Sequence, residues 1–424
     1  MTPRRTLFLI NFGAGLEHYD FILYGFLGVY LSQAFFPQAA HGVQLLHTLL
    51  VFAVGYLARP IGGLFIGAIA DRHGRSKVYL AVILLMGLAT TGIGLLPSFA
   101  SIGFWSPLIL VVLRLIQGLT FGADIPGAVT MFCEYNARRS GLLTAAMLTA
   151  ISLGILICIA LINALSQTLS HAAMQDYGWR VPFVLGGGIA LLNYFLRRHI
   201  IETPAFLVRE KQAPLSQPPW QTLFAQYPGA LFSAFIVLLF PAAFILFGVS
   251  LPSFAHLHFG LTPNKIYPVM LFGYTVSALS LIPFGLLADR IGYRKQLLCT
   301  LTLAAALSAP LFNLLQAHTS SGFMIFVACY QLIISALTTS YLPLLASRFP
   351  TAIRFSAIGL SYNIAFCAAA LAPYWINQLL LYQHGIAMTA MLFTGLALLS
   401  LAAVARESNP SSQALCFEGE KAGT

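Results

Sequence analysis

Glu17, Asp20, Arg59, Arg114 and Asp124 are charged side chains set inside long apolar runs, and His18 stands beside the first of them. A charge at the centre of a bilayer costs about 2.5–3.5 kcal/mol on insertion scales, so it is retained mainly for function. Glu17, Asp20 and Tyr24 are spaced i, i+3, i+7 and share one helix face. Arg114, Gln117, Phe121 and Asp124 form a similar stripe on another helix. Counting the helical rise, Asp20 lies about 21 Å from one membrane face and Arg114 about 10 Å from the other. In a hydrocarbon core of about 30 Å these depths coincide, with Glu17 near the midplane. The spacing therefore predicts that Asp20, with Glu17 beside it, pairs with Arg114. A proton on the carboxylate would release the guanidinium, or an anionic substrate would compete for it. Burial disfavours a charged carboxyl and a nearby Arg favours it, which is the balance a switch needs. A permanent salt bridge locking two helices would leave the same pattern.

The other candidates are weaker in sequence terms. Unperturbed His titrates near physiological pH, so His18 could carry a proton, or it could face lipid headgroups or a neighbouring helix. Asp124 could be a second proton site, a gate residue or a structural hydrogen-bond partner. Arg59 precedes Pro60 and could pair with Asp124, meet an anionic substrate or serve helix packing. Uncharged polar groups suited to a midplane cavity are Tyr24, Gln117, Tyr274, Tyr330, Gln331, Tyr362 and Asn363, although most Tyr residues in spans pack or anchor. The later spans hold no acidic or basic residue until their ends, so proton coupling is expected in the first half of the chain.

Several chemistries are excluded. The six cysteines are scattered singly, without Cys-x-x-Cys or His-Glu-x-x-His, so neither a disulfide framework nor a metal site is expected. No Gly-x-x-x-x-Gly-Lys-Ser/Thr loop is present, so ATP is not the energy source and no cofactor is expected. Gly248 to Ser250 and Gly359 to Ser361 read Gly-x-Ser, but no His lies at depth beside them to act as base. An intramembrane enzyme is therefore not expected.

The elements that position these residues follow from composition. Among 424 residues, 58% are hydrophobic and 8% charged, against roughly 25% charged in soluble domains. A cytosolic enzyme and a disordered chain are both excluded. Continuous apolar runs argue for spanning helices rather than a barrel. Twelve such runs are expected, with cores near 6–30, 46–70, 78–97, 107–132, 141–165, 181–200, 228–254, 266–288, 296–316, 322–346, 355–380 and 386–405. Placing the N-terminus inside puts all but four of the 22 Lys and Arg residues on the inner side. Arg180 and Lys265 fall outside, and Arg59 and Arg114 lie within spans. This asymmetry places both termini in the cytoplasm and assigns the net charge of +10 to the positive-inside rule, not to nucleic acid.

An internal repeat divides the chain. Residues 67–77 read GAIADRHGRSK and residues 285–295 read GLLADRIGYRK. A weaker echo joins Arg138 and Ser140 to Arg354 and Ser356. The expected units are a six-helix bundle over 1–200, a polar linker over 201–227, a second bundle over 228–406 and a tail over 407–424. Repeated halves with a midplane site are a secondary-transporter design. Asp71, Arg72, Arg75, Asp289 and Arg290, in the repeated loops, are expected to latch the bundles on the inner side, joined by Glu134, Arg138 and Arg139.

These loops resemble the signature of the major facilitator superfamily. Further segments are similar to its metabolite:proton symporter group, which includes proline/betaine, shikimate, citrate and 2-oxoglutarate carriers. They are EHYDFILYG at 17–25, ARPIGG at 58–63, LRLIQGLTFGAD at 113–124, YGWRVPF at 177–183, ETPAF at 202–206 and FPTAIRFSAIGLSYN at 349–363. The chain departs from that pattern at His18, at Ala123-Asp124, in the missing glutamine of span five and at Arg348. The resemblance implies an all-α membrane protein with twelve transmembrane helices in two pseudo-symmetric six-helix bundles. It further implies a monomeric, proton-coupled importer of a carboxylate-bearing or zwitterionic metabolite in a bacterial inner membrane. An exporter or uniporter of the same fold is the alternative, ahead of a non-transporting sensor.

Overall fold

The computed structural model describes residues 3–38, 41–73, 75–122, 124–135, 139–198, 219–316, 320–380, 382 and 384–406. Nine helices among them are long and apolar enough to cross a bilayer. A tenth span is the pair His171–Gly178 and Arg180–Leu196, bent by 40°. Two further passes complete the expected order. Pro3–Phe26 continues as Gly28–Phe35, and Arg75–Leu95 carries the shorter apolar stretch Leu80–Leu95. The described passes therefore follow the twelve expected apolar runs, and the protein is a multi-pass membrane protein.

Several spans are broken where the chain loses a helical hydrogen bond or meets a proline. Span two divides into His41–Leu57 and Arg59–His73, with Pro60 at the start of the second piece, where its missing N–H costs nothing. Span eleven divides into Thr351–Ala369 and Ala372–Leu379, again with a proline, Pro373, in the first turn. Span four runs as Trp105–Phe121 and then Asp124–Tyr135, with residue 123 between them outside the described residues. The break in span two adjoins the candidate Arg59.

Spans one and five touch backbone to backbone. A Cβ on Gly154 would fall on the carbonyl of Gly15, and one on Gly15 would fall on the carbonyl of Ala150. Small residues permit this approach, and close packing supplies the dispersion contacts that hold helices together in lipid. The later bundle closes instead on rings: Phe240, Phe244, Phe247, Phe312, Tyr330 and Phe393 form one buried cluster.

The two sets of six spans meet at both ends. At one end Tyr267 of span eight donates a hydrogen bond to the carbonyl of Phe26 in span one at 3.0 Å. At the other, Asn363 of span eleven donates to the carbonyl of Gly122 in span four at 2.6 Å. Between residues 198 and 228 the described chain is the helix Pro219–Gln226, which packs against span eleven. The greater part of the expected linker, and the tail over 407–424, lie outside the described residues.

Candidate functional site

Span four sets out the site. Arg114 and Gln117 are both 0% exposed on Trp105–Phe121. One turn apart on a helix, they are natural neighbours, and Arg114 Nη1 donates to Gln117 Oε1 at 2.8 Å. The Gln117 amide then donates to the Thr90 hydroxyl of span three at 2.8 Å. The guanidinium of Arg114 also sits 4.4 Å from the ring centre of Tyr24, with Phe52 at 5.6 Å. A buried cation is thus held by an amide oxygen and by aromatic faces, which attract it through their quadrupoles.

Asp20 is buried, at 2% exposure, one helical turn from Tyr24. It forms no ion pair with Arg114, which corrects the direct pairing expected from depth alone. Depth fixes height along a helix, not the direction in which a side chain leaves it. The carboxylate of Asp20 turns toward span six, where a Cβ on Gly186 would collide with its Oδ1. That oxygen is buried and accepts no hydrogen bond among the described residues. Glu17 turns toward the same span, and its Oε1 accepts from Asn193 Nδ2 at 3.2 Å.

His18 does not face lipid headgroups. It is 9% exposed, its Nδ1 donates to the carbonyl of Ala14 at 2.9 Å, and its ring meets that of Phe121 at 4.7 Å. Phe121 is shared with Arg59, whose guanidinium lies 4.8 Å from its ring centre. Tyr56 at 5.0 Å and Tyr362 and Phe366, each at 5.6 Å, complete a ring of aromatics about Arg59. Two of these rings belong to spans two and four, and two to span eleven. Arg59 is therefore enclosed by both bundles. The side chain of Asp124, its other expected partner, lies outside the described residues.

The uncharged candidates divide. Tyr24 packs on Arg114, and its hydroxyl is buried without a hydrogen bond among the described residues. Tyr274 faces Gln331 and meets Phe26 of span one edge-on at 6.0 Å. Tyr362 and Asn363 lie at the contact between bundles. Tyr330 instead donates to the carbonyl of Phe244 inside the aromatic cluster, which explains its burial without a ligand. Thr90 and Asn193 escaped the sequence reading. They are neutral, so no insertion cost marks them out, and only their neighbours give them meaning.

At the repeated loops, Asp289 crosses between bundles. Its Oδ1 and Oδ2 accept from the backbone N–H groups of Gly141 and Leu142, each at 2.9 Å. These are the first turn of Ser140–Thr168, where N–H groups lack intrahelical partners and the helix dipole favours an anion. Tyr293 donates to the same carboxylate at 2.8 Å and stands 2.6 Å from the Ser140 hydroxyl. Arg290 and Arg139 are exposed. The side chains of Asp71, Arg72, Arg75, Glu134 and Arg138 lie outside the described residues. No group of His, Cys, Asp and Glu that could hold a metal is found among the described residues.

Comparison with known proteins matches this architecture. The family model of the Major Facilitator Superfamily matches residues 19–373. The alpha-ketoglutarate permease of Escherichia coli is 33% identical over 86% of this chain and 84% of its own. The citrate-proton symporter of Klebsiella pneumoniae is 31% identical over 84% of this chain and 80% of its own. The proline/betaine transporter of Escherichia coli is 28% identical over 87% and 76%. Among solved structures, the proton:xylose symporter XylE bound to 6-bromo-6-deoxy-D-glucose superposes with a TM-score of 0.77 at 16% identity, covering 98% of both chains. The partially occluded inward-open form of XylE from E. coli gives 0.73 at 14% identity, over 96% of this chain and 97% of its own. Matched across most of its length in sequence and in fold, the chain belongs to the major facilitator superfamily and is a membrane transporter, not an enzyme.

Proposed function

We propose that the protein is a proton-coupled importer of a small carboxylate-bearing metabolite, working by alternating access in a bacterial inner membrane with both termini in the cytoplasm. The observation that carries this reading is Arg114: a fully buried guanidinium in the same bundle as the buried Asp20. In the proposed cycle Arg114 meets the substrate carboxylate, with Tyr24 and Gln117 beside it and Tyr274, Gln331, Tyr362 and Asn363 on the facing bundle. Asp20 carries the proton, with Glu17 assisting. Arg59 is a second cationic contact for an anion, and Asp124 a second proton site.

The moving bodies are residues 1–200 and 228–406, linked by 201–227. Asp289 on the start of span five is one half of an inner latch. Asp71, Arg72, Arg75 and Arg290 belong to the same loops. Relatives named for alpha-ketoglutarate, citrate, and proline or betaine all carry carboxylate substrates, which suits a buried guanidinium. The test is uptake of labelled alpha-ketoglutarate, citrate, shikimate, proline and betaine into proteoliposomes with an imposed inward proton gradient. Accumulation above equilibrium that collapses with the gradient supports symport and names the substrate. Mere equilibration supports a uniporter, and proton-driven efflux an exporter.

A further inference from the structure

Thr90 stands between the two charges that the proposed cycle couples. It is 0% exposed on Arg75–Leu95. Its hydroxyl donates to the carbonyl of Met86 at 3.0 Å and accepts from Gln117, which in turn holds Arg114. Its methyl group points elsewhere. A Cβ placed on Gly186 would lie 2.9 Å from Thr90 Cγ2 and against Asp20 Oδ1, so the methyl and the carboxylate flank the same point. One rotamer step about χ1 can carry the hydroxyl into the place of the methyl, and Thr in helices populates two rotamers. One rotamer gives the hydroxyl to Gln117. The other brings it to the side where Asp20 Oδ1 lies buried without a hydrogen bond.

We propose that Thr90 is a positioning residue that reports the charge of Asp20 to Arg114. With Asp20 neutral, the hydroxyl stays on Gln117, and Gln117 holds Arg114. With Asp20 ionised, the buried anion needs a donor and the hydroxyl turns to it. Gln117 loses its acceptor, and its grip on Arg114 changes. Gly186 is part of this device, because any side chain there would fill the space in which the two groups meet.

The titratable and charged groups around Asp20 are Glu17, His18 and Tyr19 on its own helix and Cys158 on span five. Tyr24 lies one turn further along the same helix. The proposal rests on Asp20 as the proton site, so its test separates the two.

The full-length protein in proteoliposomes is compared as wild type, Asp20→Asn, Thr90→Val and Thr90→Ser. The first readout needs no substrate: the infrared carboxyl band of Asp20, assigned by its loss in Asp20→Asn and followed through pH. The band and its titration should change in Thr90→Val and return in Thr90→Ser. The second readout uses labelled alpha-ketoglutarate. Gradient-driven uptake should fall about tenfold in Thr90→Val, the effect of one hydrogen bond to a charged group, while exchange is retained and Thr90→Ser is restored. An Asp20 band unchanged in Thr90→Val overturns the Thr90 proposal alone. Equal loss of uptake and exchange in both Thr90 variants also overturns it, in favour of a packing role. Full gradient-driven uptake in Asp20→Asn overturns the underlying proton-site reading.

Discussion

Arg114 and Arg59 are both buried cations, yet they are held in opposite ways. Arg114 is held within one bundle, by Gln117 and through it Thr90, with Tyr24 over its face. Arg59 is ringed by aromatics from both bundles. Relative movement of the bundles leaves the first arrangement intact and must pull the second apart. In the proposed cycle, then, Arg114 answers to ligand and proton, and Arg59, besides its proposed contact with an anion, to the position of the bundles. Aromatic faces suit the second task, because their attraction for a cation is spread over many orientations and yields gradually as the rings part.

The largest expected effect comes from breaking the first environment. Arg114→Gln should lower both uptake and exchange by about a hundredfold or more, in keeping with the 2–5 kcal/mol lost when a desolvated charged contact is truncated. Retention of normal exchange in that variant would remove Arg114 from the substrate site.

Breaking the second environment should act differently. Tyr362→Leu removes one ring from Arg59, on the side of the later bundle. Its expected effect is about tenfold on transport rate, beyond any change in KM, since a desolvated cation–π contact is worth about 2 kcal/mol. A pure KM effect would confine Tyr362 and Arg59 to the proposed ligand contact, with no part in the movement of the bundles.

A smaller change should follow at the latch. Asp289→Asn keeps the shape of the carboxylate but removes the charge that faces the start of span five. The helix-end interaction is worth up to about 2 kcal/mol when partly buried, so a several-fold shift toward the opened state is expected. Thiol-reagent accessibility of a cysteine introduced at the half-buried Leu142 can be compared in the two backgrounds. Equal labelling would show that Asp289 does not hold the bundles together.

How much of this was legible in the sequence depended on charge. The spans were legible because each needs about 20 apolar residues, and Pro228–Phe259 or Gly385–Arg406 announce themselves by hydropathy. Asp20, Arg59 and Arg114 stood out because charges in such runs are rare. Their mutual geometry did not, since equal depth on two helices leaves the facing direction open. The breaks in spans two and eleven carried a local signal in Pro60 and Pro373, whereas the helix Pro219–Gln226 carried too little hydropathy to show. The parts of Thr90 and Gly186 beside Asp20 were illegible for a simpler reason. A threonine or a glycine is ordinary in a membrane helix, and its role appears only when the carboxylate and the amide beside it are in view.

The central claim is that Asp20 couples transport to the proton. The most direct measurement compares wild type with Asp20→Asn in proteoliposomes, reading gradient-driven accumulation and substrate exchange side by side with labelled alpha-ketoglutarate. The account predicts that Asp20→Asn still exchanges substrate but no longer accumulates it when a proton gradient is imposed. Accumulation at the wild-type level in Asp20→Asn, abolished by collapse of the gradient, would contradict it and move the coupled proton to another residue.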